Sequence, residues 1–365
     1  MDYKKAGLKV GLEIHQQLEG KKLFCNCPTI LRDDAPDFTV KRFLRASASE
    51  LGELDIAAIT EQKKEKYILY EGYKDTTCLV ELDEEPPHDL NQDALKTALE
   101  LSLLLKAKTV DEIQVMRKVI VNGSITSGFQ RTSLVAYNGI LEDQDNPIQI
   151  ATVLLEEEAS KDIEQTSEYY KFRLDRLGIP LIEIATEPDI HTPEQAKRVA
   201  EKIGMFLRST GKVKRGLGTI RQDLNISVIG GNRIEIKGAQ DLKLIPYWIE
   251  NEVKRQLSLL EIKNELLKRK IKKADITRDF TDITSLLKSS ESKIIKQALA
   301  KPEPLMLVIK LPKFNGLIGK EIQPNRRLGT EFSDYGKVIG GVGGLFHSDE
   351  LPNYGITQEE KEKIS

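Results

Sequence analysis

Long apolar runs are missing from this 365-residue sequence. No stretch approaches the roughly 20 apolar residues that a membrane-spanning helix needs. The opening MDYKKAGLK lacks the apolar core of a secretory signal. Cysteine is scarce as well. Three residues, two of them in FCNC, exclude a disulfide framework and make the cytosol the expected compartment. An excess of one charge is absent too. Lys and Arg number 55 against 57 Asp and Glu, so a nucleic-acid partner has to be met by local basic patches. Tryptophan occurs once, whereas Lys, Glu and Ile are plentiful, a balance that leans toward a thermophilic source. No Walker loop or other nucleotide-binding fingerprint is present, which disfavours a generic kinase.

What is present is enough chain for two or three domains. The stretches KVGLEIHQQL, KYILYEG and TCLVELDEEPP read as strands closed by turn or proline signals. A helix is expected from Asn91, with Leu95, Leu99 and Leu103 at helical spacing. TPEQAKRVAEKIGMFLRSTG is a second helix, with Thr192 as its cap, Pro193 in its first turn and Gly211 at its end. DLNISVIGGNRIEIKG reads as a hairpin, and the segment after IPYWIENEV as a long helix with a basic end. Beyond it the texture turns to a smaller, Gly-rich α/β unit. The expected division is 1–276 and 277–365.

Acidic residues recur inside strand-like segments. In LKVGLEIHQQL, Glu13 and His15 are two apart, so they project from one face while Leu12 and Ile14 point to the other. Glu156, Glu157 and Glu158 end VLLEEE, and Glu183 interrupts the apolar run PLIEIAT. A carboxylate in such a run is costly unless it meets a cation. Acids from three strands beside a histidine suit a hard divalent ion such as Mg²⁺. MRKVIVNGSITSGFQRT joins Arg117 and Lys118 to a Gly/Ser loop whose backbone N–H groups suit an anion, with Ser127 and Gln130 as further candidate nucleotide contacts. In GTIRQDLNIS, Arg221, Asp223 and Asn225 share one face, which also fits phosphate chemistry and makes Arg221 and Asp223 candidate nucleotide contacts. The CNC pair calls for a second ligand pair before zinc is expected; with only a distant Cys78, zinc is disfavoured. His88 and His191 read as loop or capping residues.

VGLEIHQQL, EGYKDTTCLVELDEEPPHDLN, GSITSGFQRT, LEEEASK, DRLGIPLIEIATEPDI and GTIRQDLNISV together resemble the B/E subunit family of tRNA-dependent amidotransferases. Residues 305–357 resemble the insertion domain of bacterial-type aspartyl-tRNA synthetases, which separates the E branch from the B branch. The resemblance implies an α+β fold, a glutamine-synthetase-like cradle built on a twisted, mostly antiparallel sheet. It implies an ATP- and Mg²⁺-dependent ligase that phosphorylates glutamate esterified to tRNA(Gln). The acyl phosphate is then amidated with ammonia from an asparaginase-like amidotransferase partner of the D type. It assigns Glu13, His15, Glu157 and Glu183 to the metal, with Glu156 in reserve, and gives Lys118 a transferring phosphate. Arg326 and Arg327 become candidate tRNA contacts, alongside the basic helix end from Lys268 to Lys273. The family continues into helical and tail domains beyond the point where this sequence stops, so the expectation is a C-terminally truncated chain. The competing expectation is a tRNA-binding or assembly fragment without activity of its own.

Overall fold

The computed structural model describes residues 1–46 and 52–364. Helix α1 (Tyr3–Ala6) leads into β1 (Lys9–Gln17), β2 (Phe38–Phe43), α2 (Ile56–Gln62), β3 (Tyr67–Gly72) and α3 (Gln92–Leu104). Seven strands follow: β4 (Lys108–Thr109), β5 (Val115–Val119), β6 (Phe129–Leu141), β7 (Ile148–Glu157), β8 (Lys161–Gln165), β9 (Tyr169–Arg173) and β10 (Pro180–Thr186). Then come α4 (Pro193–Ser209), β11 (Ile220–Ser227), β12 (Ile234–Ile236) and α5 (Ile245–Lys268). The principal sheet has the order β12-β11-β1-β10-β7-β6-β4, with β5 also on β6. Its neighbours pair antiparallel throughout. A smaller sheet, β2-β3-β9-β8, contains one parallel pair, β3 with β9. This is the expected mixed α+β class with antiparallel sheets.

Strand alternation decides which face is covered. Val10, Leu12 and Ile14 of β1 are buried in a core shared with Ile182 and Ile184 of β10 and Leu224 and Ile226 of β11. Helices α3, α4 and α5 close that face with Ala98 and Leu101, Val199 and Ile203, and Ile249 and Val253. Each such aliphatic side chain contributes about 1.5–3 kcal/mol on burial. Helix α4 starts where expected: Thr192 Oγ1 accepts the Gln195 N–H, Pro193 fills the first turn, and Gly211 beyond the end has φ +67°. The opposite sheet face, carrying Glu13 and His15, has no helix over it among the described residues.

One expected strand is not there. Residues 77–87, in TCLVELDEEPP, form successive turns instead, closed by Thr77 N–H to Tyr73 O, Asp83 N–H to Val80 O and Glu84 N–H to Leu79 O. Alternating apolar residues imitate a strand here, yet Glu81 is buried and accepts bonds from Cys25 and from the Cys78 N–H, which the turns make possible.

Helix α5 outlasts the first unit. Ile245, Ile249 and Val253 belong to the main core, whereas Leu259, Ile262 and Leu266 pack on Leu317, Ile322, Leu328 and Phe332. The C-terminal unit comprises β13 (Phe280–Asp282), α6 (Lys293–Leu299), β14 (Leu307–Ile309), β15 (Glu321–Gln323), β16 (Arg326–Arg327), α7 (Leu328–Gly340) and α8 (Gln358–Ile364). Among the described residues no helix is long and apolar enough to cross a membrane.

Candidate active site

Strand β1 lies between β10 and β11, so His15 stands directly across from Glu183 on one side and Arg221 on the other. His15 Nε2 is 3.3 Å from Glu183 Oε2 and 3.6 Å from both Glu13 Oε1 and Glu156 Oε1. Three carboxylates thus converge on one imidazole. Glu13, His15 and Glu183 present ligand atoms within 4.8 Å of one another, and so do Glu13, Asp223 and Glu235. Burial pushes the Glu13 carboxyl above its ordinary value, and the Glu183 charge adds to this against His15. Glu156 is raised for the same reasons, with His15, Lys118 and a hydrogen bond from Thr132 opposing. Burial alone would lower the His15 pKa, but the bond to Glu183 and the three surrounding acids raise it. The arrangement has more negative charge than His15 neutralises, and its oxygen-rich donor set fits a hard divalent cation.

Glu157, the expected third ligand, is not in this group. Its carboxylate accepts from the Arg131 backbone N–H at 3.1 Å and from the Arg131 guanidinium at 3.1 and 3.2 Å, buried away from His15. The reason is the pleat. Leu155 faces the core, Glu157 shares its parity, and Glu156 and Glu158 turn to the other face. The reserve residue, Glu156, is the one that meets His15.

The sequence was compared with known proteins. The description "GatB/GatE catalytic domain" matches residues 8–311, and "GAD domain" matches 295–365. The chain belongs to the GatB/GatE family. The E subunit of the glutamyl-tRNA(Gln) amidotransferase of Methanococcus maripaludis strain C7 is 60% identical over 364 residues, covering this whole chain and 57% of that relative. The corresponding E subunits of Methanocaldococcus jannaschii and Pyrococcus furiosus are each 56% identical, again covering all of this chain and 58% and 57% of theirs. The chain therefore spans little more than half the length of these relatives.

In this GatB/GatE-family sheet, the remaining candidates divide by face. Lys118 is exposed on β5, and its charge acts on Glu156. Arg221 faces the acids and is held by buried Glu158 at 3.0 Å, while Asp223 pairs with Lys237 at 3.2 Å. Arg117 alternates to the far side, where its guanidinium lies 5.5 Å from the Phe129 ring. Ser127 Oγ donates to the Phe129 carbonyl and lines a small cavity with Glu157 and Arg131; Gln130 donates to the Glu157 carbonyl at 2.7 Å. Arg117 and Ser127, expected as nucleotide contacts, are thus set apart from the acid group. Sequence reading missed Gln17, which donates to Glu158 at 3.0 Å. Gln17 was findable, since it is two residues beyond His15 on the same face.

The cysteines also come together. Ligand atoms of Cys25, Cys27, Cys78 and Glu81 lie within 4.8 Å of one another. Glu81 Oε1 accepts the Cys25 S–H at 2.8 Å and is 3.5 Å from buried Lys22; Oε2 accepts the Cys78 N–H at 2.7 Å. The ground for disfavouring zinc was a missing second ligand pair. Cys78 and Glu81, three apart, supply that pair, so the ground falls. The Cys25 bond lowers the Cys27 thiol to about 7, whereas burial raises Cys78 to about 11. Three thiols and one carboxylate form a closed, soft-weighted set that fits zinc better than Mg²⁺.

Of the expected RNA contacts, Arg326 pairs with Asp334 at 2.6 Å and Arg327 is exposed at the start of α7. Arg269 in the basic helix end donates to the Lys313 and Asn315 carbonyls, a structural use. His191 bonds the Leu8 carbonyl and His88 meets Glu85, in loop and capping surroundings.

Proposed function

We propose that this chain carries the carboxylate-activating step of a glutamyl-tRNA(Gln) amidotransferase, converting Glu-tRNA(Gln) to Gln-tRNA(Gln) with ATP. The observation that carries the reading is the convergence of Glu13, Glu156 and Glu183 on His15 over an open sheet face. A carboxylate does not accept ammonia until its oxygen is made a leaving group. Transfer of the ATP γ-phosphoryl to the tRNA-bound glutamate gives an acyl phosphate; ammonia attacks its carbonyl carbon and phosphate departs. Glu13, His15, Glu156 and Glu183 would hold Mg²⁺, which when bound offsets the charge on the phosphates. Lys118 lies beside Glu156 and neutralises oxygens of the transferring group. Arg221, oriented by Glu158, is a second cation on this face. Ammonia comes from an asparaginase-like partner, and the principal sheet serves as the glutamine-synthetase-like cradle. The Cys25, Cys27, Cys78 and Glu81 group would hold a structural zinc ion.

The test supplies ammonium chloride in place of the partner. Phosphate release from ATP should depend on Glu-tRNA(Gln), yield Gln-tRNA(Gln), and fall by orders of magnitude in Glu13→Gln without loss of fold. Binding of charged tRNA with no phosphate release would reject this reading in favour of a tRNA-binding or assembly role.

A further inference from the structure

Among the described residues the smaller sheet has one covered face and one open face. Ile68, Tyr70 and Phe172 are buried together on the first. On the other, the register aligns Phe43 of β2, Tyr67 of β3 and Tyr169 of β9 in one row across three strands. Tyr67 and Tyr169 stack with centroids 5.4 Å apart, and Phe43 meets Tyr67 edge-on at 6.3 Å. The next row is Lys41, Leu69 and Lys171. Lys41 Nζ sits 3.8 Å from the Tyr67 centroid and meets no carboxylate among the described residues, while Lys171 pairs with Glu164. Phe43 is 64% exposed, far more than a ring needs to stabilise a sheet.

We propose that this aromatic row is a stacking platform for single-stranded RNA, the unpaired aminoacylated end of the tRNA substrate. Exposed rings on a sheet accept base faces regardless of sequence, and adjacent lysines meet the phosphates. A protein partner fits less well, because Lys41 and Lys171 stand in the row next to the rings, and protein interfaces are poor in lysine. The position also suits RNA. Strand β8 follows β7 after three residues, and β9 leads into β10, so the platform's sheet is joined by short connections to the strands bearing Glu156 and Glu183. Glu156 and Gln165 are nine residues apart, at most about 30 Å of extended chain. An RNA end of a few nucleotides is long enough to reach from the rings to the acids. This inference rests on the tRNA reading above.

The experiment is fluorescence anisotropy of an end-labelled, unstructured 12-nucleotide RNA with the full chain. Phe43→Ala should weaken binding at least about fivefold, and Phe43→Trp should restore it. Lys41→Gln should reduce the log-log salt slope by about 0.7. Circular dichroism and melting checks confirm that the variants fold; should Phe43→Ala fail to fold, Lys41→Gln, an exposed change, decides alone. Wild-type protein that does not bind the RNA, or variants with unchanged affinity and slope, would overturn the platform. A Phe43→Ala variant that loses the asparaginase-like partner but keeps its RNA affinity would overturn it in favour of a protein interface. Glu13→Gln should leave oligonucleotide binding intact. If it also leaves turnover intact, the active-site reading fails while the platform stands.

Discussion

Replacing Glu156 and Glu157 one at a time by glutamine separates a metal-binding carboxylate from a structural one. Glu157 and Arg131 form a pair with side chains 5% and 12% exposed. Removing one charge of such a pair strands the other, at a cost of about 3–5 kcal/mol. Glutamine keeps an acceptor for the Arg131 N–H, so the lower end, about 3 kcal/mol, is expected. At about 2 °C per kcal/mol for a chain of this size, the melting temperature should drop by about 6 °C. Glu156 behaves differently. Its attraction to His15 at 3.6 Å is about 5 kcal/mol at an effective dielectric of 20, and repulsion from Glu183 opposes it. The two nearly cancel, so Glu156→Gln should shift stability by less than about 1 kcal/mol. It should weaken Mg²⁺ binding by roughly tenfold or more, since the carboxylate is a direct ligand in the proposed site. Calorimetric melting with and without excess Mg²⁺ reads both effects. Wild type and Glu157→Gln should gain stability from Mg²⁺, and Glu156→Gln should gain at least about 1.4 kcal/mol less at saturating Mg²⁺. If Glu157→Gln instead melts as wild type does and loses the Mg²⁺ response, the pleat at the end of β7 is inverted and the site assignment is wrong.

His15→Ala should reduce turnover in the same direction as Glu13→Gln but less severely, because oxygen donors dominate Mg²⁺ coordination; single-turnover kinetics compares the two. Metal analysis of purified chain should find about one zinc per molecule, lost in Cys78→Ser; zinc retained in that variant would remove Cys78 from the ligand set. The double change Arg326→Ala, Arg327→Ala should weaken tRNA binding and lower its salt slope, with the larger share from Arg327, since Arg326 already pairs with Asp334; unchanged filter-binding titrations would exclude both. Asp143 is partly buried, and Arg198 holds its carboxyl below the ordinary range despite that burial. A depressed carboxylate stabilises above its unfolded pKa, near 4, and loses that contribution as pH falls through its folded value. Asp143→Asn should therefore cost about 1 kcal/mol in urea unfolding at pH 7, and the gap should close below about pH 4.

Several features were legible because their causes are local. The alternation of β1, with Leu12 and Ile14 in the core and Glu13 and His15 opposite, follows from a period of two. The ends of α4 follow from Thr192, Pro193 and Gly211. The β11–β12 hairpin follows from its Gly-Gly-Asn turn. The choice within Glu156, Glu157 and Glu158 was not legible. Period two places the outer pair against the middle residue, but two leucines precede them, so neither face is marked as core. The pairing of Glu156 with Thr132 on β6 sets the phase, and that pairing passes a bulge near Ala136. Resemblance selected Glu157, and the pleat gives Glu156. The Cys25, Cys27, Cys78 and Glu81 group was hidden for another reason. Its halves are some fifty residues apart, and counting cysteines overlooks a glutamate as the fourth donor. The false strand at residues 77–87 concealed it further, since a strand would have sent Cys78 and Glu81 to opposite faces.

Helix α5 sets a fixed gauge between the acid face and the C-terminal unit. Its 24 residues make a rod of about 36 Å. Near mid-length Gln256 clamps it to β11, donating to the Ile226 carbonyl at 3.2 Å and accepting the Val228 N–H at 3.2 Å. Arg255 beside it reaches Glu331 on α7 at 2.9 Å. One helical turn thus grips the strand that carries Arg221 and Asp223 and, through its neighbour, the helix that begins after Arg327. If the candidate Arg326 and Arg327 contacts hold RNA, its distance from the acids is set by the helix. Deleting residues of the rod between Arg255 and Leu259 would set the Arg255 bond to Glu331 against the packing of Leu259, Ile262 and Leu266 on the far unit, so the two units would lose their present spacing. A chain so altered should still bind RNA and Mg²⁺ separately, yet mismatch the two on any RNA that must reach both.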